Sequence, residues 1–319
     1  MNKNKFKVQI SNFIISIILI GFCFIASAEA EMFIADYSVA KESVLRSIPV
    51  KHINAAKQKL HIMYCGTSHS SQVVDGMSGL MEYKKGDDTL FAVTFDGKSR
   101  AGFLDIHYRP SEIYPAIAKD LSRDKVDDKG KTGYFYATIK YLDNHPKCNV
   151  IMWSWCSIER HDVQIYLDNF ETLIKMYKAG GLKRRTEENE VKFVFMTGYA
   201  RGGQGDNPNA LNSPYVNAEK IKQYCRKNKH YCLDYWSQDV YDYGTDSYNP
   251  FEKGNENRQH RVFTDKHRLG QDWFKCRSFK NGEVKWPAHC SKEHYAQHLT
   301  GNRRAYAAWY IWAKLAGWD

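Results

Sequence analysis

The chain has 319 residues, carries 46 Lys and Arg against 36 Asp and Glu for a net charge of +10, and is 43% hydrophobic. That is long enough for one large domain with a substantial core and short for two. The basic residues are mixed with acidic ones, as in Lys183-Arg184-Arg185 followed by Glu187, Glu188 and Glu190, so the charge reads as solvated surface and no nucleic-acid partner is expected.

The first 28 residues carry Lys3, Lys5 and Lys7, an apolar run from Phe13 to Ile25 and Ala26-Ser27-Ala28. This is the pattern of a secretory signal peptide with an A-x-A cleavage site. Its apolar core is short for a membrane span, so no stable membrane insertion is expected after cleavage. Phe22 precedes Cys23 where a lipid-anchored precursor would have a small residue. The expectation is an exported protein, periplasmic or extracellular, with residues 29–319 as a single domain. Removing three lysines takes the net charge to +7 and leaves seven of the eight cysteines. Export permits disulfides, and Cys276 and Cys290, on either side of Asn281-Gly282, suit a stapled hairpin. Cys225 and Cys232 lie close in sequence, whereas Cys65 and Cys156 end apparent core strands.

In chain order, Val39–Lys59 is a helical or irregular lead-in to a strand at Leu60–Cys65. After Gly66 and a hydroxyl-rich turn, Val73, Val74, Met77, Leu80 and Met81 recur at helical spacing, which predicts a helix over Ser71–Tyr83 capped by Ser70 or Ser71. Leu90–Phe95 and Gly102–Tyr108 read as strands separated by Asp96-Gly97, Arg123–Lys131 as a surface loop, and Gly133–Leu142 as a helix. Asn149–Trp155 and Val191–Thr197 are continuous apolar runs of the kind that suits strands covered on both faces. Between them Asp162–Lys178 is amphipathic at helical spacing. The long loop Gly198–Pro214, a helix over Val216–Asn228, a strand at Tyr231–Trp236 and a helix at Gly301–Leu315 complete the order. Strand and helix alternate, which predicts an α/β fold with a parallel sheet between helices. Ligands then bind beyond the carboxyl ends of the strands, at Gly66–Gln72, Cys156–His161, Gly198–Asn212 and Ser237–Asp246.

Ser68 is the candidate nucleophile in that region, because backbone N–H groups between a strand end and a helix start can stabilise an anion. Its immediate neighbour His69 is a poor base, since adjacent side chains on a turn point apart. His294 and His298, at the entry of the last helix, are the candidate bases. Their i, i+4 spacing also suits a metal, but no Glu follows the first His as in the zinc-protease motif, and neither metal nor cofactor is expected. Cys156 is a rival nucleophile with nothing nearby to depress its pKa. Arg201–Gly205 lacks the Lys-Ser/Thr of a phosphate-binding loop. Asp239, Asp242 and Asp246 do not have EF-hand spacing.

Five segments together resemble the SGNH/GDSL hydrolase superfamily, and more closely a group of exported bacterial SGNH-like proteins. They are Tyr64–Gln72, Asn149–Cys156, Val191–Gly198, Leu233–Asp239 and Ala305–Trp318. The resemblance implies a three-layer α/β/α sandwich with a mainly parallel, flavodoxin-like sheet. It also implies hydrolysis of an ester, often an acyl group on a carbohydrate. Gly66-Thr67-Ser68 stands where the family has Gly-Asp-Ser. The family's oxyanion donors are the serine N–H, a glycine from a second loop and an Asn after the central strand. Gly66, Thr67, His69, Cys156 and Gly198 are therefore the candidate oxyanion and substrate-binding residues. Two departures stand out: Trp155-Cys156-Ser157 holds no Asn, and neither His294 nor His298 has the family's Asp three residues before it. Asp239, from another loop, is the candidate acid in its place.

Two functions follow from this reading. One is a serine esterase using Ser68 with His294 or His298. The other is a catalytically weak or inactive relative that binds a glycan in a cleft of Trp153, Trp155, Tyr199 and Trp236.

Overall fold

The computed structural model describes residues 33–113, 121–122, 126–155, 157–200, 207–241, 246–248, 279–280, 283–284 and 298–319. For Ser68, residues 279–280, 283–284 and 298–300 the backbone alone is described. The signal segment, Cys276, Cys290, His294 and Cys156 lie outside the described residues.

A seven-stranded, wholly parallel sheet forms the centre. Its strands are β1 (Ile34–Ala35), β2 (His61–Gly66), β3 (Val93–Thr94), β4 (Leu104–Tyr108), β5 (Val150–Ser154), β6 (Lys192–Met196) and β7 (Cys232–Leu233). They lie in the order β1-β7-β6-β5-β2-β4-β3. The five strands β4-β2-β5-β6-β7 have the flavodoxin-like doubly wound order, in which the chain leaves β2 in one direction for β4 and resumes in the other at β5. The crevice that this reversal opens lies at the carboxyl ends of β2 and β5, so the topology alone directs a ligand to the turn after Gly66.

Helices complete a three-layer α/β/α sandwich. On one side, α3 (Ser71–Met81) carries the last helix, α9 (His298–Leu315), which also touches α1 (Glu42–Ser47) and α2 (Val50–Lys59). On the other, α5 (Gly133–Asn144), α6 (Val163–Tyr177) and α7 (Pro214–Asn228) pack side by side. Short helices α4 (Asp87–Leu90) and α8 (Tyr235–Val240) follow α3 and β7. Two further strands, β8 (Phe279–Lys280) and β9 (Glu283–Val284), pair antiparallel, Phe279 with Val284 and Lys280 with Glu283.

The local reasons are chemical. The Asp162 side chain accepts the Gln164 N–H at 3.0 Å and starts α6. Ser213 accepts from Val216 N at 3.2 Å, with Pro214 following at the first helical position of α7. Val163, Tyr166, Leu167, Phe170, Leu173 and Tyr177 form the buried stripe of α6. Tyr166 and Phe170 meet the β6 ring of Phe195 at 5.8 and 4.9 Å in edge-on contacts.

Two expected strands are shorter than their apolar runs. In place of Leu90–Phe95 there is a helical turn and the two-residue β3, because Asp87, buried on Arg46 through two hydrogen bonds of 2.5 and 2.8 Å, anchors a turn there. In place of Tyr231–Trp236, β7 stops at Leu233. Asp234 then caps α8 by accepting from Ser237 N at 3.3 Å, and the Thr197 hydroxyl donates to the same carboxylate oxygen at 2.8 Å. Ser70 is not a side-chain cap either: it occupies the N-cap position of α3 but makes no capping bond.

The crossing of α3 and α9 is backbone on backbone. A Cβ built on Gly76 would sit 2.0 Å from the carbonyl oxygen of Gly301, whereas one on Gly301 would meet nothing closer than 3.5 Å. Gly76→Ala is therefore expected to cost about 1–3 kcal/mol by overpacking. Gly301→Ala is expected to be neutral or stabilising, because a helical glycine gives up roughly 1 kcal/mol to alanine. Urea unfolding of the two variants checks the asymmetry, and equal losses would contradict it.

Candidate functional site

The candidate site is built on the turn that leaves β2. Gly66 pairs with Ser154 of β5, and a Cβ at Gly66 would lie 2.7 Å from both Ser154 Cβ and Ser154 O. The glycine is thus required by its neighbour, since only a bare Cα lets the two strand ends lie flush. The chain then enters a single 3-10 turn, Ser68–Ser70, that runs directly into α3. Ser68 accordingly sits at the switch point between a strand end and the start of an eleven-residue helix, where the helix dipole favours negative charge.

Arg109, the first residue beyond β4, holds this turn. Its Nε donates to Gly66 O at 3.0 Å, and its Nη2 donates to Thr67 O at 2.5 Å and to Ser70 Oγ at 3.0 Å. Its own N–H bonds Tyr64 O at 3.0 Å, extending the β2–β4 ladder. The Ser70 hydroxyl, fully buried, donates to Thr67 O at 2.5 Å, lies 3.1 Å from Gly66 O and shares a 2.8 Å hydrogen bond with Tyr108 OH. Burial pushes the Tyr108 phenol up to about 12 and the Cys65 thiol, one residue before Gly66, also up to about 12. Both are neutral at physiological pH.

Around the turn, His69 is buried and stacks on Tyr199 with ring centroids 4.1 Å apart and planes within 6°. Its carbonyl accepts from Tyr235 OH at 2.9 Å. Gly198 faces the loop after β5: a Cβ there would lie 2.8 Å from Ile158 Cγ2. That loop is itself tied to α7 by Asn217 Nδ2, which donates to Ile158 O at 2.6 Å and His161 O at 3.0 Å. The candidates Gly66, Thr67, Ser68, His69 and Gly198 therefore all stand at the carboxyl end of the sheet.

The last helix reaches the same end. Arg304, fully buried, forms an ion pair through Nη2 with Asp239 and donates through Nη1 to Gln238 Oε1 at 2.8 Å and to Tyr235 O at 3.1 Å. Trp309, farther along, packs edge-on against Phe91 beyond α3, at 5.4 Å. So α9 descends beside α3 from the carboxyl end of the sheet, and His298 opens it three residues, about 4.5 Å along the helix axis, before Gly301. Asp239 is occupied: one oxygen takes Arg304, and the other accepts Ala200 N–H at 3.0 Å. Burial raises its pKa, and Arg304 works against that rise. This places the candidate acid as the tie between α8, α9 and the loop after β6.

The aromatic cleft expected for a glycan does not exist in that form. Trp153, Trp155 and Trp236 are 1–2% exposed and belong to the core. The indole N–H of Trp153, for example, donates to Thr138 Oγ1 at 2.9 Å. Among the described residues no group of His, Cys, Asp and Glu is arranged to hold a metal ion. Likewise, no helix among them is long and apolar enough to cross a membrane. Cys65, Cys148, Cys225 and Cys232 are buried free thiols.

Sequence reasoning missed Arg109, Ser70's inward bonds and the Arg304–Asp239 pair. Tyr108-Arg109-Pro110 was the available signal for the first, an arginine placed directly at a strand end before a proline. The arrangement as a whole defines a doubly wound parallel α/β sandwich with a serine-bearing turn at its switch point. No protein-family model, no curated protein and no solved structure matches the chain.

Removing one partner of a buried ion pair strands the other charge. Arg304→Met is expected to destabilise the protein by about 3–5 kcal/mol, and adding Asp239→Leu should recover most of the loss. Urea unfolding of both variants checks this, and a double variant no more stable than the single would contradict it.

Proposed function

We propose that the chain is an exported serine hydrolase that cleaves an ester, with an acyl group on a carbohydrate as the substrate class that the SGNH-like resemblance suggests. What supports the reading is the place of Ser68 on the turn after β2, at the doubly wound switch point, with α9 packed through Gly301 on α3, the helix that this turn begins. Ser68 attacks the acyl carbonyl, and His294 or His298 takes its proton. The Ser68 N–H receives the oxyanion, with Gly66, Thr67, His69 and Gly198 at the same end of the sheet and Cys156 as the further candidate from the loop after β5. The positive end of α3 favours the same charge.

Asp239 acts in this scheme by holding α9, and hence the histidine-bearing helix entry, against the sheet. A serine hydrolase can work with its histidine oriented by a backbone carbonyl or another loop, so an acid engaged elsewhere does not exclude the chemistry. The purified protein is expected to release p-nitrophenol from short acyl esters and to be labelled by a fluorophosphonate. Ser68→Ala should lower turnover by at least about 10³-fold while leaving thermal unfolding unchanged. Unchanged turnover in that variant would refute the assignment.

A further inference from the structure

Resting on the hydrolase reading, we propose that Arg109 is a positioning residue that orients and polarises the Thr67–Ser68 peptide, making the Ser68 N–H the principal oxyanion donor. The carbonyl of Thr67 receives three donors: Arg109 Nη2 at 2.5 Å, Ser70 N at 3.0 Å and Ser70 Oγ at 2.5 Å. In a trans peptide the C=O and the following N–H point in opposite directions. Three donors drawing Thr67 O inward therefore turn the Ser68 N–H away from Arg109.

The guanidinium does more than orient. A cationic donor on a carbonyl oxygen withdraws electron density through the amide, so the N–H of the same peptide becomes a stronger donor. The bond from Nε to Gly66 O, at 3.0 Å, fixes the preceding peptide as well. One planar fork thus grips two successive carbonyls, a geometry that an ammonium cannot reproduce.

The backbone of Arg109 is itself unusual. Its φ is +48°, in the left-handed region that non-glycine residues seldom enter, and Pro110 follows it. That conformation brings the Arg109 N–H onto Tyr64 O while its side chain turns back along β2 to the Gly66–Ser70 turn. Its guanidinium carbon also lies 4.9 Å from the Tyr108 ring centroid, and Tyr108 OH completes the circuit at Ser70. A left-handed residue whose guanidinium reaches Gly66 O, Thr67 O and Ser70 Oγ is placed to hold the serine turn. The missing Asn after the central strand makes the case sharper, because one N–H must then do more of the work.

The test uses Arg109→Lys and Arg109→Ala in the mature chain. With p-nitrophenyl acetate, kcat is expected to fall roughly 10- to 50-fold with little change in KM, short of the ~10²–10³ lost with an entire donor. Guanidinium ion, but not ammonium, should partly restore Arg109→Ala. The Ser68 amide proton in ¹H–¹⁵N spectra should move upfield in both variants, a readout independent of turnover. Arg109→Lys serves where Arg109→Ala fails to fold. An unmoved Ser68 amide, or kcat within about twofold of wild type in a folded variant, overturns the proposal. A wild-type protein that hydrolyses no ester refutes the hydrolase reading, and the amide shift still decides whether Arg109 polarises the turn.

Discussion

The contact between Gly76 and Gly301 governs how α3 and α9 meet. Helix α3 leaves the first long strand and helix α9 closes the chain, and they approach so closely that the backbone of one occupies the space where a side chain of the other would stand. Any larger residue at position 76 would lift α9 from α3. Because α9 begins three residues before that contact, the crossing also decides where His298 sits relative to the turn that carries Ser68. The buried Arg304–Asp239 pair fixes the same helix from the other side, through α8 and the loop after β6. A buried ion pair of this kind adds little net stability compared with apolar packing. What it supplies is a defined position, because each group is also held by neighbours, Arg304 by Gln238 and Tyr235 and Asp239 by the Ala200 N–H.

The serine turn depends on a comparable economy of space. Gly66 is squeezed by Ser154, Gly198 by Ile158, and the carbonyls of Gly66 and Thr67 are gathered by Arg109 and Ser70. Polar atoms that would otherwise compete for a ligand are thereby committed inward. A turn rigidified before substrate arrives is the condition under which its amides act as preorganised donors.

Much of the fold was legible because its signals are periodic. The continuous apolar runs at 150–154 and 192–196 and the helical stripe of α6 each declared their element, and strand–helix alternation declared the parallel sheet. The two-residue strands β1, β3 and β7 were hidden or overdrawn. In such short strands the flanking polar contacts, Asp234 capping α8 and Asp87 on Arg46, outweigh local β-propensity. The aromatic residues misled for a related reason. An indole suits a sugar platform and a core equally well, and tertiary packing placed Trp153, Trp155 and Trp236 inside.

The site was legible as one residue more than as a constellation. Ser68 follows from strand, glycine and hydroxyl cluster, whereas Arg109 lies 41 residues away and meets the turn only through the β2–β4 pairing. A crystal structure of the protein reacted with a fluorophosphonate tests the central claim most directly. The account predicts phosphorus bonded to Ser68 Oγ, a phosphonyl oxygen about 3 Å from the Ser68 N, and a ring nitrogen of His294 or His298 within hydrogen-bond reach of the adduct. Phosphorus on another residue, or both histidines beyond the reach of one bridging water, would contradict it.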